Sequence, residues 1–85
     1  MKKIHEIKNV SFEGDDLCLD VDGKEHRFCV ADISERLMKA SVIERNNFIV
    51  SPSGYGIHWP IIDEDVSIDG LLGVVHKPLR KAMNA

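Results

Sequence analysis

The side chains best suited to chemistry in this chain lie between Tyr55 and Asp65. His58 is followed closely by three carboxylates, those of Asp63, Glu64 and Asp65. A histidine that hydrogen-bonds a carboxylate can act as a general base on a bound substrate. If the chain is an enzyme, we therefore expect His58 and one of these carboxylates to carry the reaction. A surface histidine packed on a neighbouring aliphatic side chain is the simpler interpretation, because a lone histidine is weak evidence for catalysis.

The acidic run also invites comparison with metal sites, and the comparison fails. Oxygen-bearing side chains occupy alternate positions from Asp63 onwards, as in a calcium loop, but Ile68 and Val74 occupy the positions that require glycine and glutamate. A closed zinc site needs four nitrogen or sulfur ligands, and no cysteine lies near His58 in the sequence. We expect no metal and no cofactor. The carboxylates are expected to lie just before a helix and to stabilise its amino-terminal end.

Tyr55 is the second notable residue of this segment, because it lies in a loop between two glycines. An aromatic side chain held out on a tight loop is typical of an interface anchor, although such a ring can equally lie back over its own hairpin. The anchor interpretation predicts a binding surface that comprises Tyr55, His58, Asp63, Glu64 and Asp65. An acidic rim around an aromatic side chain would attract a basic partner, chiefly by accelerating association.

Length, charge and hydropathy limit the classes of function. With 85 residues, 44% of them hydrophobic and 29% charged, the chain has the composition of one small globular domain. Its net charge of −3 disfavours direct nucleic-acid binding. No apolar run reaches the roughly 18–20 residues that span a bilayer, and the first residues lack the apolar core of a signal peptide. We expect a cytoplasmic protein without membrane association, organised as one domain over residues 1–73 and a basic, flexible tail over 74–85.

The amino-terminal third predicts antiparallel strands. A first strand is expected over residues 7–13. Asp22 and Gly23 form the strongest hairpin signal, because a two-residue type I′ turn needs positive φ at both positions. The pairs that this turn predicts are Val21 with Lys24, Leu19 with His26, and Leu17 with Phe28. The apolar members of these pairs should therefore share the core face.

Two capping boxes predict helix starts, one at Asp32 and one at Ser41, each followed three residues later by glutamate. The first helix is expected to bury Leu37, with Met38 beside it. The second helix is short and should end near Asn47.

A second hairpin is predicted around a four-residue loop at 52–55. Its core face should carry Phe48, Val50, Ile57 and Trp59, and its outer face His58 opposite Ile49. Ser67 is expected to cap a short final helix that ends at Gly73. The predicted fold is α+β in the order β-β-β-α-β-β-α, with one antiparallel sheet of about five strands and helices on one side.

The remaining cysteines and histidines give weaker signals. Cys18 and Cys29 share the outer face of the first hairpin at diagonal positions, roughly 7–8 Å apart, which is too far for an unstrained disulfide. We expect two free thiols. His26 should be a partly buried structural residue, whereas His5 and His76, near the ends of the sequence, carry no signal.

Several segments together form a recognisable family pattern. They are Phe12-Glu13-Gly14, Leu17 to Gly23, Asp32-Ile33-Ser34, Glu44-Arg45-Asn46-Asn47, Tyr55-Gly56-Ile57-His58-Trp59-Pro60, Asp63-Glu64-Asp65 and Gly70-Leu71-Leu72. Over roughly residues 4–73, the chain resembles the small bacterial proteins of domain-of-unknown-function family 2442. The resemblance implies a compact α+β domain and supplies no catalytic residues.

The resemblance also suggests a kind of function. Some members of the family are fused to a helix-turn-helix domain, and others are encoded beside another small protein, in an arrangement reminiscent of toxin–antitoxin pairs. We therefore expect a non-enzymatic protein-interaction module, the acidic member of such a pair, with a small basic protein as its partner; a homodimer is compatible with this expectation. The alternatives are an enzyme that uses His58 and a small-ligand pocket between the second hairpin and the final helix.

Overall fold

Two antiparallel sheets, each built from three consecutive strands, form the scaffold of the protein. The computed structural model describes residues 4–76, with side chains described as far as residue 73. The strands and helices, in chain order, are β1 (Ile7–Glu13), β2 (Asp16–Val21), β3 (Lys24–Cys29), α1 (Val30–Ile33), α2 (Glu35–Lys39), α3 (Val42–Asn46), β4 (Ile49–Val50), β5 (Gly56–Trp59), β6 (Glu64–Ser67) and α4 (Ile68–His76). The first sheet has the order β1-β2-β3 and the second the order β4-β5-β6.

The prediction of one five-stranded sheet is wrong: the strands form two separate three-stranded sheets, and the acidic segment supplies a sixth strand, β6. Glu64, Asp65 and Val66 pair along β5 in an antiparallel ladder. Asp and Glu have low strand propensity, but pairing with a neighbouring strand outweighs it here. The carboxylates therefore do not cap the final helix, and Ser67 does so as predicted: its Oγ accepts a hydrogen bond of 2.9 Å from the Gly70 amide.

The first sheet confirms the predicted strand β1 and the predicted register of the hairpin. Asp22 and Gly23 have φ angles of +54° and +85°, as a type I′ turn requires. Val21 lies opposite Lys24, Leu19 opposite His26, and Leu17 opposite Phe28. The predicted core-face side chains Leu17, Leu19, Val21 and Phe28 are buried, and Cys18, which alternates with the leucines, is buried as well.

The second hairpin also has the predicted register. Ile49 pairs with His58, and Val50 pairs with Ile57. Trp59 is fully buried, and the partly buried Phe48 and Val50 pack against the same core. One hydrophobic cluster thus joins the inner faces of both sheets with α1, α2 and α4.

The first predicted helix is interrupted. Helix α1 begins at Val30 rather than at Asp32, and no side chain caps it. Ser34 is extended, with a φ of −163°. Its Oγ accepts a hydrogen bond of 3.1 Å from the amide of Leu37, and this contact caps the amino-terminal end of α2. The cap is therefore Ser34, whose extended backbone separates two short helices. Leu37 is buried as expected, whereas Met38 is 38% exposed.

The other two helices begin as predicted. Ser41 and Glu44 form a complete capping box at the start of α3, whose C-cap is Asn47. Helix α4 continues to His76, beyond the predicted end at Gly73. The rest of the predicted tail, residues 77–85, lies outside the described residues.

Arg45, in the last turn of α3, is buried, with an exposure of only 8%. Its guanidinium donates hydrogen bonds to the carbonyls of Leu37 (2.9 Å), Met38 (3.0 Å) and Gly14 (3.1 Å) and to the carboxylate of Asp15 (3.2 Å). The guanidinium carbon lies 5.7 Å from the centre of the Phe12 ring. The backbone carbonyl of Arg45 accepts a hydrogen bond of 2.9 Å from the Trp59 indole.

Replacing Arg45 by Met is expected to lower the free energy of unfolding by at least about 2 kcal/mol, because several buried carbonyls lose their donor. Urea denaturation measures the loss. The matched control is Arg27→Met, which removes a guanidinium whose ion pairs with Glu13 and Asp16 lie at the surface, and it should cost much less. Equal losses for the two variants would contradict a central role for Arg45.

The two cysteines are free thiols in different environments. Cys18 is buried, and this burial raises the pKa of its thiol, whereas Cys29 is exposed. We expect iodoacetamide to modify Cys29 readily in the folded protein and Cys18 only slowly until the protein unfolds, because the reagent requires an accessible thiolate. Peptide mass spectrometry of a timed reaction measures both rates. Similar rates in the folded state would contradict the burial of Cys18.

Candidate functional site

The loop that carries Tyr55 is held in place by Ser51. The Ser51 hydroxyl accepts hydrogen bonds from the amides of Tyr55 (2.9 Å) and Gly56 (3.3 Å). Gly54 has a φ of +75°, and a Cβ at this position would lie 1.7 Å from the carbonyl oxygen of His5, so only glycine fits. This fixed backbone leaves the Tyr55 side chain 57% exposed at the tip of the loop.

A groove of about 550 Å³ lies on the outer face of the second sheet. The side chains and backbone that line it belong to Ile49, Ser51, Pro52, Tyr55, Gly56, Ile57, His58, Asp65, Val66 and Ser67. Gly56 contributes no side chain to this face, and a Cβ there would lie 2.7 Å from the Val66 carbonyl oxygen. Gly56 is buried, and the close approach of the Val66 backbone requires glycine at this position.

His58 and Asp65 form an ion-pair geometry within this groove. They are direct neighbours across β5 and β6, and the Nδ1 atom of His58 lies 2.7 Å from Oδ1 of Asp65. The contact that the sequence suggested therefore arises from strand pairing. Asp65 orients the imidazole through Nδ1, and the ring has no second hydrogen-bond partner among the groups that the structure describes. The His58 side chain is 40% exposed and the Asp65 side chain is 75% exposed.

The other two carboxylates of the predicted surface lie elsewhere. Glu64 points to the opposite face of β6, where its carboxylate accepts a hydrogen bond from the hydroxyl of Ser34. Asp63 lies in the β5–β6 turn with a φ of +54°, and its carbonyl accepts a hydrogen bond of 2.7 Å from Arg36. The predicted site residues that line the groove are Tyr55, His58 and Asp65. That they bind a partner stays a prediction.

Residues 4–76, as far as the structure describes them, contain neither a candidate metal site nor a membrane-spanning helix. No three or more His, Cys, Asp and Glu side chains converge there in an arrangement that could hold a metal ion. His58 and Asp65 supply two donors, and a metal site needs more. None of the helices in the same range combines the length and the apolar character needed to cross a bilayer.

Sequence reasoning missed two residues beside this site. Ile49 lies opposite His58 on the outer face, as the predicted register places it, and is 57% exposed, but it was not included in the predicted binding surface. His5 was expected to carry no signal, yet its two ring nitrogens each lie 2.8 Å from a carboxylate oxygen, of Asp22 and of Asp69. No local pattern could have found His5, because both partners are distant in the sequence.

Comparison with known proteins gives one match. The family model described as "Protein of unknown function (DUF2442)" matches residues 7–76. Searches of curated proteins and of solved structures returned no significant match. The family match covers every strand and helix described above, including the hairpin and the strand that form the groove. The chain therefore belongs to the DUF2442 family.

Proposed function

We propose that the protein is a non-enzymatic protein-interaction module that binds its partner through the outer face of the second sheet. This docking face comprises Ile49, Tyr55, Gly56, His58 and Asp65. The observation that carries the proposal is the exposure of two large apolar side chains beside one groove: Ile49 and Tyr55 are each 57% exposed. Exposed apolar side chains next to a depression with a polar rim are typical of interaction surfaces.

The partner that fits this face is a small basic protein that presents an apolar or aromatic side chain. Such a side chain would enter the groove above Gly56 and contact Ile49 and Tyr55. Asp65 is the one carboxylate among the residues that line the groove, and it is 75% exposed. Together with the net charge of −3, it favours approach by a positively charged surface.

The family resemblance supports a more specific version of this proposal. In that version, the protein is the acidic member of a two-gene pair of the toxin–antitoxin kind and meets its partner in the cytoplasm. The docking face is small, so a second copy of this chain is a less favourable occupant than a protein of opposite charge.

A small-ligand or catalytic role is the second candidate, and the His58–Asp65 pair is the observation that favours it. The pair has the geometry of a general base, and the groove has a volume within the range of ligand pockets, roughly 300–1,000 Å³. Two features favour docking instead. Ligand pockets enclose most of their ligand, whereas here Ile49 and Tyr55 remain largely exposed. The hydroxyls of Ser51 and Ser67 accept backbone hydrogen bonds that hold the local structure.

Replacing Tyr55 by Ala is expected to weaken partner binding by at least about 2 kcal/mol, or roughly 30-fold in Kd, because the anchor side chain is lost. The immobilised protein would first be used to isolate a stoichiometric partner from the source organism, and calorimetry would then give the Kd of each variant. Tyr55→Phe is the matched control: it keeps the ring and should retain most of the affinity. Unchanged binding by Tyr55→Ala would refute this docking face.

Replacing Asp65 by Asn is expected to slow association with the same partner at low salt. The difference from the unmodified protein should shrink as salt rises, because the screening length falls from about 10 Å at 0.1 M to about 3 Å at 1 M. Surface plasmon resonance measures the association rates. Glu25→Gln, an equal charge change on the exposed edge strand β3, is the control. If both variants slow association equally, total charge rather than the docking face steers the partner.

A further inference from the structure

The imidazole of His5 lies between two carboxylates from distant parts of the chain. Its Nδ1 atom is 2.8 Å from Oδ2 of Asp22, in the β2–β3 turn, and its Nε2 atom is 2.8 Å from Oδ1 of Asp69, in the first turn of α4. The His5 side chain is only 14% exposed, whereas the two carboxylates are 54% and 70% exposed. One ring thus connects the first sheet to the final helix.

This geometry requires a proton on both ring nitrogens. A neutral imidazole has one N–H donor and one lone-pair acceptor, so it can donate to only one of the two carboxylates. Its other nitrogen would then direct a lone pair at a carboxylate oxygen, which is repulsive. The imidazolium form donates to both carboxylates and is attracted to both charges.

The backbone around His5 lies across the loop of the docking face. The amides of Ile4 and His5 donate to the carbonyl of Ser53, at 2.7 and 3.3 Å. Gly54 lies so close to the His5 carbonyl that no Cβ could fit between them. The position of His5 therefore determines the position of the residues that immediately precede Tyr55.

The neighbouring segment is tied to the same turn. The Glu6 amide donates to Oδ1 of Asp22 (2.8 Å), and the Asp22 amide donates to the Glu6 carbonyl (2.9 Å). The charged groups that the structure describes beside His5 in the sequence are the Glu6 carboxylate and Lys8, at 3.5 Å from each other. Among the described residues, the charged groups in contact with the His5 ring are Asp22 and Asp69.

We propose that His5 is a proton-dependent latch that fixes the Tyr55 loop against the β2–β3 turn and the first turn of α4. When His5 is protonated, the ring binds both carboxylates and the loop is held. When His5 loses its proton, one of the two contacts becomes unfavourable and the loop loosens. The latch concerns the loop itself, so it can be tested whether or not the proposed partner exists.

The pH range of the latch follows from the groups in contact. The hydrogen bonds to Asp22 and then Asp69 raise the pKa of His5 above its ordinary value of 6.5. The stabilisation is therefore complete below pH 6.5 and is lost as the pH rises through the higher pKa of the folded state. The pKa of Asp22 is lowered by His5 and by the Glu6 amide, so on the acid side its contribution is lost only as the pH falls through that lowered value.

Nuclear magnetic resonance of the unmodified protein tests the latch directly. We expect the His5 ring to titrate above 6.5, with both nitrogens protonated at lower pH. Above that pKa, the amides of Gly54 and Tyr55, which donate to Ser51, should show lower protection factors against hydrogen exchange. Titration of His5 at or below 6.5, or protection factors that do not change across the titration, would overturn the proposal.

The same substitution, aspartate to asparagine, is made at two positions, one as the test and the other as its control. Asp69→Asn removes one carboxylate of the latch and should lower the pKa of His5 towards 6.5. Asp65→Asn makes the same change at the other histidine–aspartate pair, that of His58, and should leave the pKa of His5 unchanged. If Asp69→Asn does not shift the His5 titration, or Asp65→Asn shifts it equally, the proposal fails.

Thermal unfolding of His5→Gln gives an independent measurement. Gln can still hydrogen-bond but cannot become charged. The melting temperature of His5→Gln should therefore fall less than that of the unmodified protein when the pH is raised from about 5.5 to about 8.5, a range that includes the ordinary pKa of histidine. An equal pH dependence in both proteins would overturn the proposal. If His5→Gln does not fold, the titrations of the unmodified protein and of Asp69→Asn decide the question.

Discussion

A buried guanidinium joins the two sheets of this protein. Arg45 donates to carbonyls at the end of α2 and in the β1–β2 turn, while its own carbonyl accepts from Trp59 on β5. Backbone carbonyls without a donor are costly when water cannot reach them, and the Arg45 side chain supplies donors to carbonyls of α2 and of the β1–β2 turn at the same time. Trp59, the largest fully buried side chain, is held in place by this arrangement. Through Trp59, the arrangement fixes β5, whose other face carries His58.

The docking face is therefore built on rigid supports, although its own side chains are exposed. β5 is the central strand of its sheet and is anchored by Trp59. The Tyr55 loop is held on one side by Ser51 and on the other by the backbone of His5. A binding surface whose backbone is already ordered loses less conformational entropy when a partner binds. This preorganisation supports the role in binding that we propose for the face.

How much of this could be predicted depends on how local each interaction is. The registers of both hairpins follow from turn chemistry and apolar alternation, which involve residues close in the sequence, and the structure confirms them. The strand β6 could not be predicted, because its carboxylates disfavour a strand and its stability comes from pairing with β5. Asp32 and Ser34 are both good caps by residue type, and the local sequence does not distinguish between them. In the candidate site, the placement of Tyr55 and His58 was predictable; the choice of Asp65 among three carboxylates required the register of β6, and the contacts of His5 required the whole fold.

The strand order has a consequence for how the chain folds. Within each sheet the strands pair in chain order: β2 pairs with β1 and β3, and β5 pairs with β4 and β6. Closing such short loops costs little chain entropy, so each three-stranded sheet can begin to form independently of the other, and folding should be fast for a protein of this strand content. The last step is then the encounter of two partly formed sheets. A contact that joins the two sheets directly is that of Trp59 with Phe12, whose ring centres lie 6.3 Å apart. We expect substitutions there to change the folding rate more than substitutions of exposed side chains on the outer face of the second sheet.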